Sequence, residues 1–162
     1  MVEKPPEPSS PVCYAGEASD VYMGYASRDE LIPFLIELLE AERAGARVGL
    51  KTAQETDDPA MKALFQAIQK DEAKWCRMLL RWIKKLEAAP SCIVGAFYEK
   101  AMAVNPLPDR IRFLNRGQGW VVKKLREMLP KVRDDKLHAD LKEMLESHVA
   151  NIATAEAAIA AP

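Results

Sequence analysis

Four side chains able to carry a proton or hold a metal sit where helical spacing calls for apolar residues. Glu72 shares its face with Phe65, Ile68, Trp75, Cys76 and Leu79, since residues three and four apart line one side of a helix. Glu42 lies on the stripe of Leu35, Leu38, Leu39, Gly45 and Gly49, whereas Glu37 and Glu40 fall among Pro33, Arg43, Ala44 and Arg47. Gln118 accompanies Ile111, Leu114, Val121, Val122 and Leu125, and His148 accompanies Leu141, Met144, Leu145, Ile152 and Ala155. A carboxylate carried into a core needs a proton, a hydrogen-bonding partner or a metal, because an unpaired buried charge is strongly unfavourable.

The spacing of the four is regular. Glu42 precedes Glu72 by 30 residues and Gln118 precedes His148 by 30, with midpoints at Asp57 and Arg133 inside expected turns. Residues equidistant from the turn of an antiparallel helix pair sit at one height. The expectation is a single polar layer inside a four-helix bundle, built from two similar helix pairs joined by a long connection.

Local signals place the helices. Ser27 and Glu30 form a capping box that starts a helix running to about Glu55, and Pro33 is tolerable in its first turns. Asp58 before Pro59 starts a second helix, ending by about Ala88 ahead of Pro90. Ser91 is expected to cap a shorter helix through Ala103 within the crossover between the second and third long helices. Asp109 is expected to cap the third long helix, which ends near Pro130, and Asp134 or Asp135 the fourth, which continues to about Ala160. Residues 1–26 form an extended arm, disordered over its Pro-rich start and aromatic from Tyr14 to Tyr25; residues 27–162 form the bundle. The arm packs along its own bundle or straps a second subunit, and the sequence leaves both open.

Composition bounds the function. The chain has 162 residues, 49% hydrophobic and 29% charged, which suits one domain with a real core. A formal net charge of -1 gives no reason to expect nucleic acid or an anionic membrane as partner. The longest nearly apolar run, Leu31 to Leu39, is too short to cross a bilayer, and the start Met-Val-Glu-Lys-Pro-Pro lacks the apolar centre of a secretory signal. Three cysteines, Cys13, Cys76 and Cys92, fit reduced thiols, and a cytoplasmic location is the expectation. Trp82 and Trp120 read as packing residues, while Phe97 and Tyr98 on the connection offer an entrance to the layer or further core. His138 has no companions and is given no role.

At this point the chain, over residues of about 28 to 160, resembles the ferritin-like superfamily, and within it the small bacterial ferritin-like proteins more than ferritin itself. In that superfamily the first and third helices each give a Glu, and the second and fourth each give a Glu-x-x-His pair, to two metal ions. Carried over residue by residue, Glu42 matches the first-helix Glu and Gln118 stands where the third-helix Glu would be. Glu72-Ala-Lys-Trp75 matches the second-helix pair with Trp75 replacing the His, and His148-Val-Ala-Asn151 occupies the fourth with His for Glu and Asn for His. An indole has no lone pair for a metal, and neutral amides do not balance a dication. The di-iron site is therefore degenerate, and the oxidase chemistry that the resemblance implies is lost. Bundles of this kind often pair side by side, and with the apolar arm this implies a homodimer.

Two readings of the layer remain open. In the first, Glu42, Glu72, Trp75, Gln118, His148 and Asn151 close a hydrogen-bond network, with the Trp75 N–H and the Gln118 amide donating to the carboxylates; the protein is then a non-catalytic structural or interaction bundle without a cofactor. In the second, Glu42, Glu72 and His148, with Gln118 as a weak fourth, hold one Fe, Mn or Zn ion, as a metal-binding protein or an oxidoreductase.

Overall fold

The computed structural model describes residues 19–160 and contains five helices: α1 (Arg28–Glu55), α2 (Pro59–Lys85), α3 (Phe97–Met102), α4 (Leu107–Met128) and α5 (Asp135–Ala160). Among the described residues there is no strand, and no helix is long and apolar enough to cross a membrane. Cys13, Tyr14 and most of the expected arm lie outside the described residues.

The long helices begin where their side chains can satisfy the first free N–H groups. Ser27 and Glu30 make the reciprocal capping box of α1; Asp58 accepts from the Ala60 and Met61 N–H groups ahead of α2; Asp134 accepts from Lys136 and Leu137 ahead of α5. The start of α4 differs from expectation. Pro106 stands at its N-cap, with Leu107 and Pro108 opening the helix and Asp109 already inside the first turn. Proline needs no hydrogen bond there and its φ already suits the helix.

Pairing fixes the topology. α1 packs antiparallel on α2 and α4 on α5, with Arg28 reaching the Leu86 carbonyl and Lys85 reaching Asp134 at one end. At the other end Arg110 of α4 meets Glu55 of α1, and Asn115 of α4 meets the Ile152 carbonyl of α5. The chain thus leaves α2 at one end of the bundle and must enter α4 at the other. Helix rises only about 1.5 Å per residue, against about 3.3 Å for extended chain. This distance explains why the expected helix from Ser91 does not form: residues 88–95 are irregular, and only Phe97–Met102 coil. Ser91 serves the strap instead, accepting from the Ile93 N–H through its hydroxyl and from Arg43 through its carbonyl.

Arg110 secures the far end of the crossover. It is buried and donates to the Val104 and Met102 carbonyls, the Asn105 side chain, Thr52 and Glu55. At the near end the described part of the arm closes on its own chain: the Ala26 N–H donates to the Lys131 carbonyl, Arg133 pairs with Asp20, and Val21, Tyr22 and Met23 stay exposed.

The core falls into two clusters. One gathers Phe34, Leu35, Leu38, Trp75, Leu79, Leu125, Leu141 and Met144 with their neighbours; the other gathers Val48, Phe65, Ile68, Ile111, Leu114 and Ala155. Met78 and Trp82 belong to the first cluster, and the Trp82 N–H donates to Asp140 at 2.6 Å. Cys76 is half-buried beside it.

α2 ends at Lys85, short of Ala88, in a backbone motif in which the Ala88 N–H bonds the Ile83 carbonyl and the Glu87 N–H bonds that of Lys84. This leaves Glu87 at φ 54°, a left-handed conformation that disfavours a side chain. Glu87→Gly is expected to stabilise the protein by about 0.5–1 kcal/mol, because the relieved strain exceeds glycine's added freedom in the unfolded chain. Urea unfolding of the two proteins reads the difference as a higher midpoint with unchanged slope.

Candidate metal centre

Glu42 of α1, Glu72 of α2 and His148 of α5 converge between the two apolar clusters, each at most 3% exposed. Each offers one ligand atom, and these atoms lie within 4.8 Å of one another. Gln118 of α4 is buried as well and, with the other three, lines a cleft that opens to the surface. The four residues singled out by their spacing are thus brought together.

Local packing makes room for them. A Cβ at Gly45, one turn beyond Glu42, would stand 2.9 Å from both Cδ and Oε2 of Glu72, so a glycine on α1 leaves the space that the carboxyl fills. His148 Nδ1 lies 2.9 Å from the Met144 carbonyl, one turn earlier on α5. A carbonyl only accepts, so Nδ1 carries the hydrogen of that contact and Nε2 faces the layer. Metal-ligating histidines are commonly held in this way.

The Nε2 end of His148 lies 3.2 Å from Glu42 Oε1, close enough for an ion pair but not aligned as a hydrogen bond. Both Glu42 oxygens, the Trp75 N–H and both Gln118 amide atoms are likewise buried without a partner. The hydrogen bonds of the closed network, from Trp75 and Gln118 to the carboxylates, are therefore not made. Trp75 packs into the first core cluster, with Lys74 Nζ 4.3 Å from its ring centre. Asn151 is not part of the layer either. Its amide donates to Asp71, which also accepts from Ser147, because α5 turns that position toward the α2 groove.

Burial favours the protonated form of both carboxyls in the layer. Burial raises the Glu42 carboxyl to about 7, partly offset by the neighbouring Glu72 carboxyl. Burial, with repulsion from Glu42, raises the Glu72 carboxyl well above the usual carboxylate range. The Cys76 thiol is pushed up to about 12 by burial and then by these two carboxylates, which keeps it from acting as a thiolate.

The donor set fits one metal ion and not two. Two carboxylates balance a single dication, and one imidazole completes three protein ligands, an arrangement that leaves an open position. Three ligand atoms around one tetrahedral ion at about 2.0–2.2 Å stand roughly 3.3–3.6 Å apart, so side-chain adjustments on the order of an ångström would close the observed cluster on an ion. Trp75, three residues beyond Glu72 on α2, offers no lone pair and Gln118 offers no charge, so neither supplies an anionic ligand for a second ion.

The cleft measures about 450 Å³ and is walled by Ala41, Phe97, Phe113, Leu114, Trp120 and Val121, with Glu37, Glu40 and Arg116 also lining it. Phe97 rather than Tyr98 forms the entrance, and Tyr98 packs on the second core cluster. A Cβ at Gly117 would stand 2.6 Å from Phe97 Cζ, so that glycine seats the ring. Trp120, expected in the core, is 37% exposed on the cleft. Arg110 and Asn115 are buried polar residues not singled out in the sequence, although Arg110 stands four residues before Leu114 and Asn115 three before Gln118, the same helical spacing.

The architecture has a solved counterpart. A crystal structure described as "ferritin like, diiron-carboxylate proteins" from Bacillus anthracis str. Ames superposes with a TM-score of 0.72 at 16% identity, over 82% of this chain and 96% of that one. The fold is therefore ferritin-like. No curated protein matches the chain. The family described as "Domain of unknown function (DUF6306)" matches residues 29–158, and the chain belongs to that family.

Proposed function

We propose that the protein binds one divalent metal ion, Fe, Mn or Zn, through Glu42, Glu72 and His148. The observation that carries this reading is the His148 ring: its Nδ1 side is fixed on the Met144 carbonyl, and its Nε2 side meets Glu42 without a hydrogen bond, within a cluster of three ligand atoms. Glu42 and Glu72 supply the two negative charges, and Gly45 lets Glu72 reach the site. Gln118, a neutral amide on the cleft wall, stays outside the ligand set. Bound there, the ion would supply Lewis-acid or redox chemistry at the inner end of the cleft. The apolar walls limit water around it, and the mouth admits a small molecule.

Titration calorimetry of chelator-stripped protein with Mn²⁺ and Zn²⁺ is expected to give one ion per chain. Glu72→Gln and His148→Gln should each weaken binding by at least about tenfold. Two ions per chain, no binding, or indifference to both substitutions contradicts the proposal.

The metal-free protein has a characteristic pH dependence. A carboxyl whose folded pKa is raised binds more protons folded than unfolded, so stability falls as pH rises from its ordinary 4.5 to about 7 at Glu42. The loss is on the order of 3 kcal/mol over that window, and the higher value of Glu72 extends the decline upward. Glu30, Glu55 and Asp134, all lowered by hydrogen bonds, act in the opposite sense, and their contribution is lost only in more acidic solution. Chemical unfolding in chelator is expected to give lower stability at pH 8 than at pH 5.5, with the slope reduced in Glu42→Gln. A flat profile would show that the carboxyls are not buried as described.

A further inference from the structure

Gln118 has a property that the metal ion does not use. Its side chain is buried, it lines the cleft, and both its Oε1 acceptor and its Nε2 donor lack partners. An unpaired buried amide lowers the stability of the protein that carries it. It is also the complement of any group that brings an adjacent donor and acceptor.

The walls around it narrow the class of ligand. Phe97 and Phe113 stack with ring centres 5.0 Å apart and planes 23° from parallel, and Trp120 adds a third aromatic surface to the cleft. Such walls suit a flat ring. Four carboxyl groups, those of Glu37, Glu40, Glu42 and Glu72, line the cleft with Arg116, so an anionic headgroup is disfavoured. A volume of about 450 Å³ accommodates a small organic molecule.

We infer that the cleft binds an uncharged aromatic amide, with its ring against Phe97, Phe113 and Trp120 and the amide edge paired with both polar atoms of Gln118. The ligand is a primary or ring amide, whose adjacent N–H and C=O satisfy donor and acceptor together without bringing a charge into the cleft. This goes beyond the metal-ion reading and does not rest on it. The test uses metal-stripped protein, so the two fail separately.

The full chain, kept in chelator, is titrated with benzamide, and with benzoate and toluene as its charged and headless counterparts. Indole fluorescence and NMR shifts of the Gln118 side-chain amide and of Phe97 are followed. Benzamide is expected to bind in the millimolar range, as befits a small fragment, and at least about tenfold tighter than either counterpart. Gln118→Leu should bring benzamide down to the level of toluene while leaving the protein at least as resistant to heat, since two unpaired polar atoms are removed. Gln118→Met, which keeps the side-chain length, is the second variant and should behave alike. Equal binding of benzamide and toluene by the native protein, undiminished benzamide binding by either variant, or no shift at the highest soluble concentration overturns the inference.

Discussion

Two carboxyl groups and one imidazole share a volume only a few ångströms across, held between apolar packing on both sides. Like charges so close cannot both stay ionised without compensation, so either a proton or a cation must enter. The rest of the bundle is arranged around that constraint. α1 gives up a side chain at Gly45 to admit the Glu72 carboxyl, and α5 uses a main-chain carbonyl to hold His148 with its free nitrogen inward. The apolar core, which would otherwise be continuous, is divided in two.

Packing supplies the stability that this layer lacks. Six buried polar atoms of Glu42, Trp75, Gln118 and His148 are without hydrogen bonds, and each such group weakens the fold on the order of 1 kcal/mol or more. The compensation lies elsewhere: in the two apolar clusters, in the capped helix starts, and in the Arg110 clamp that ties α4 to α1 and to the crossover. The crossover also shapes access. Because it must traverse the bundle in extended form before coiling at Phe97, it sets an aromatic ring on Gly117 at the mouth of a cleft that reaches the layer.

The four long helices and their common level were legible in the sequence, since both follow from local rules. Caps at Ser27, Asp58 and Asp134 mark helix starts, and the equal separations of Glu42 from Glu72 and Gln118 from His148 fix heights in antiparallel pairs. What was not legible depends on distance through space. No local signal says that residues 88–95 must stretch, so the helix from Ser91 was misread, and none says that Trp120, read as a packing residue, lines a cleft. The partners of each polar group were equally hidden. Asn151 shares a turn with His148, yet the rotation of α5 delivers it to Asp71, and only coordinates separate the unpaired Gln118 from a bonded one.

Anomalous diffraction from crystals grown with Mn²⁺ tests the central claim most directly. The account predicts one peak per chain, about 2.0–2.3 Å from His148 Nε2 and from an oxygen of each of Glu42 and Glu72. Two peaks in the layer, or none with His148 Nε2 hydrogen-bonded to Glu42, would contradict it.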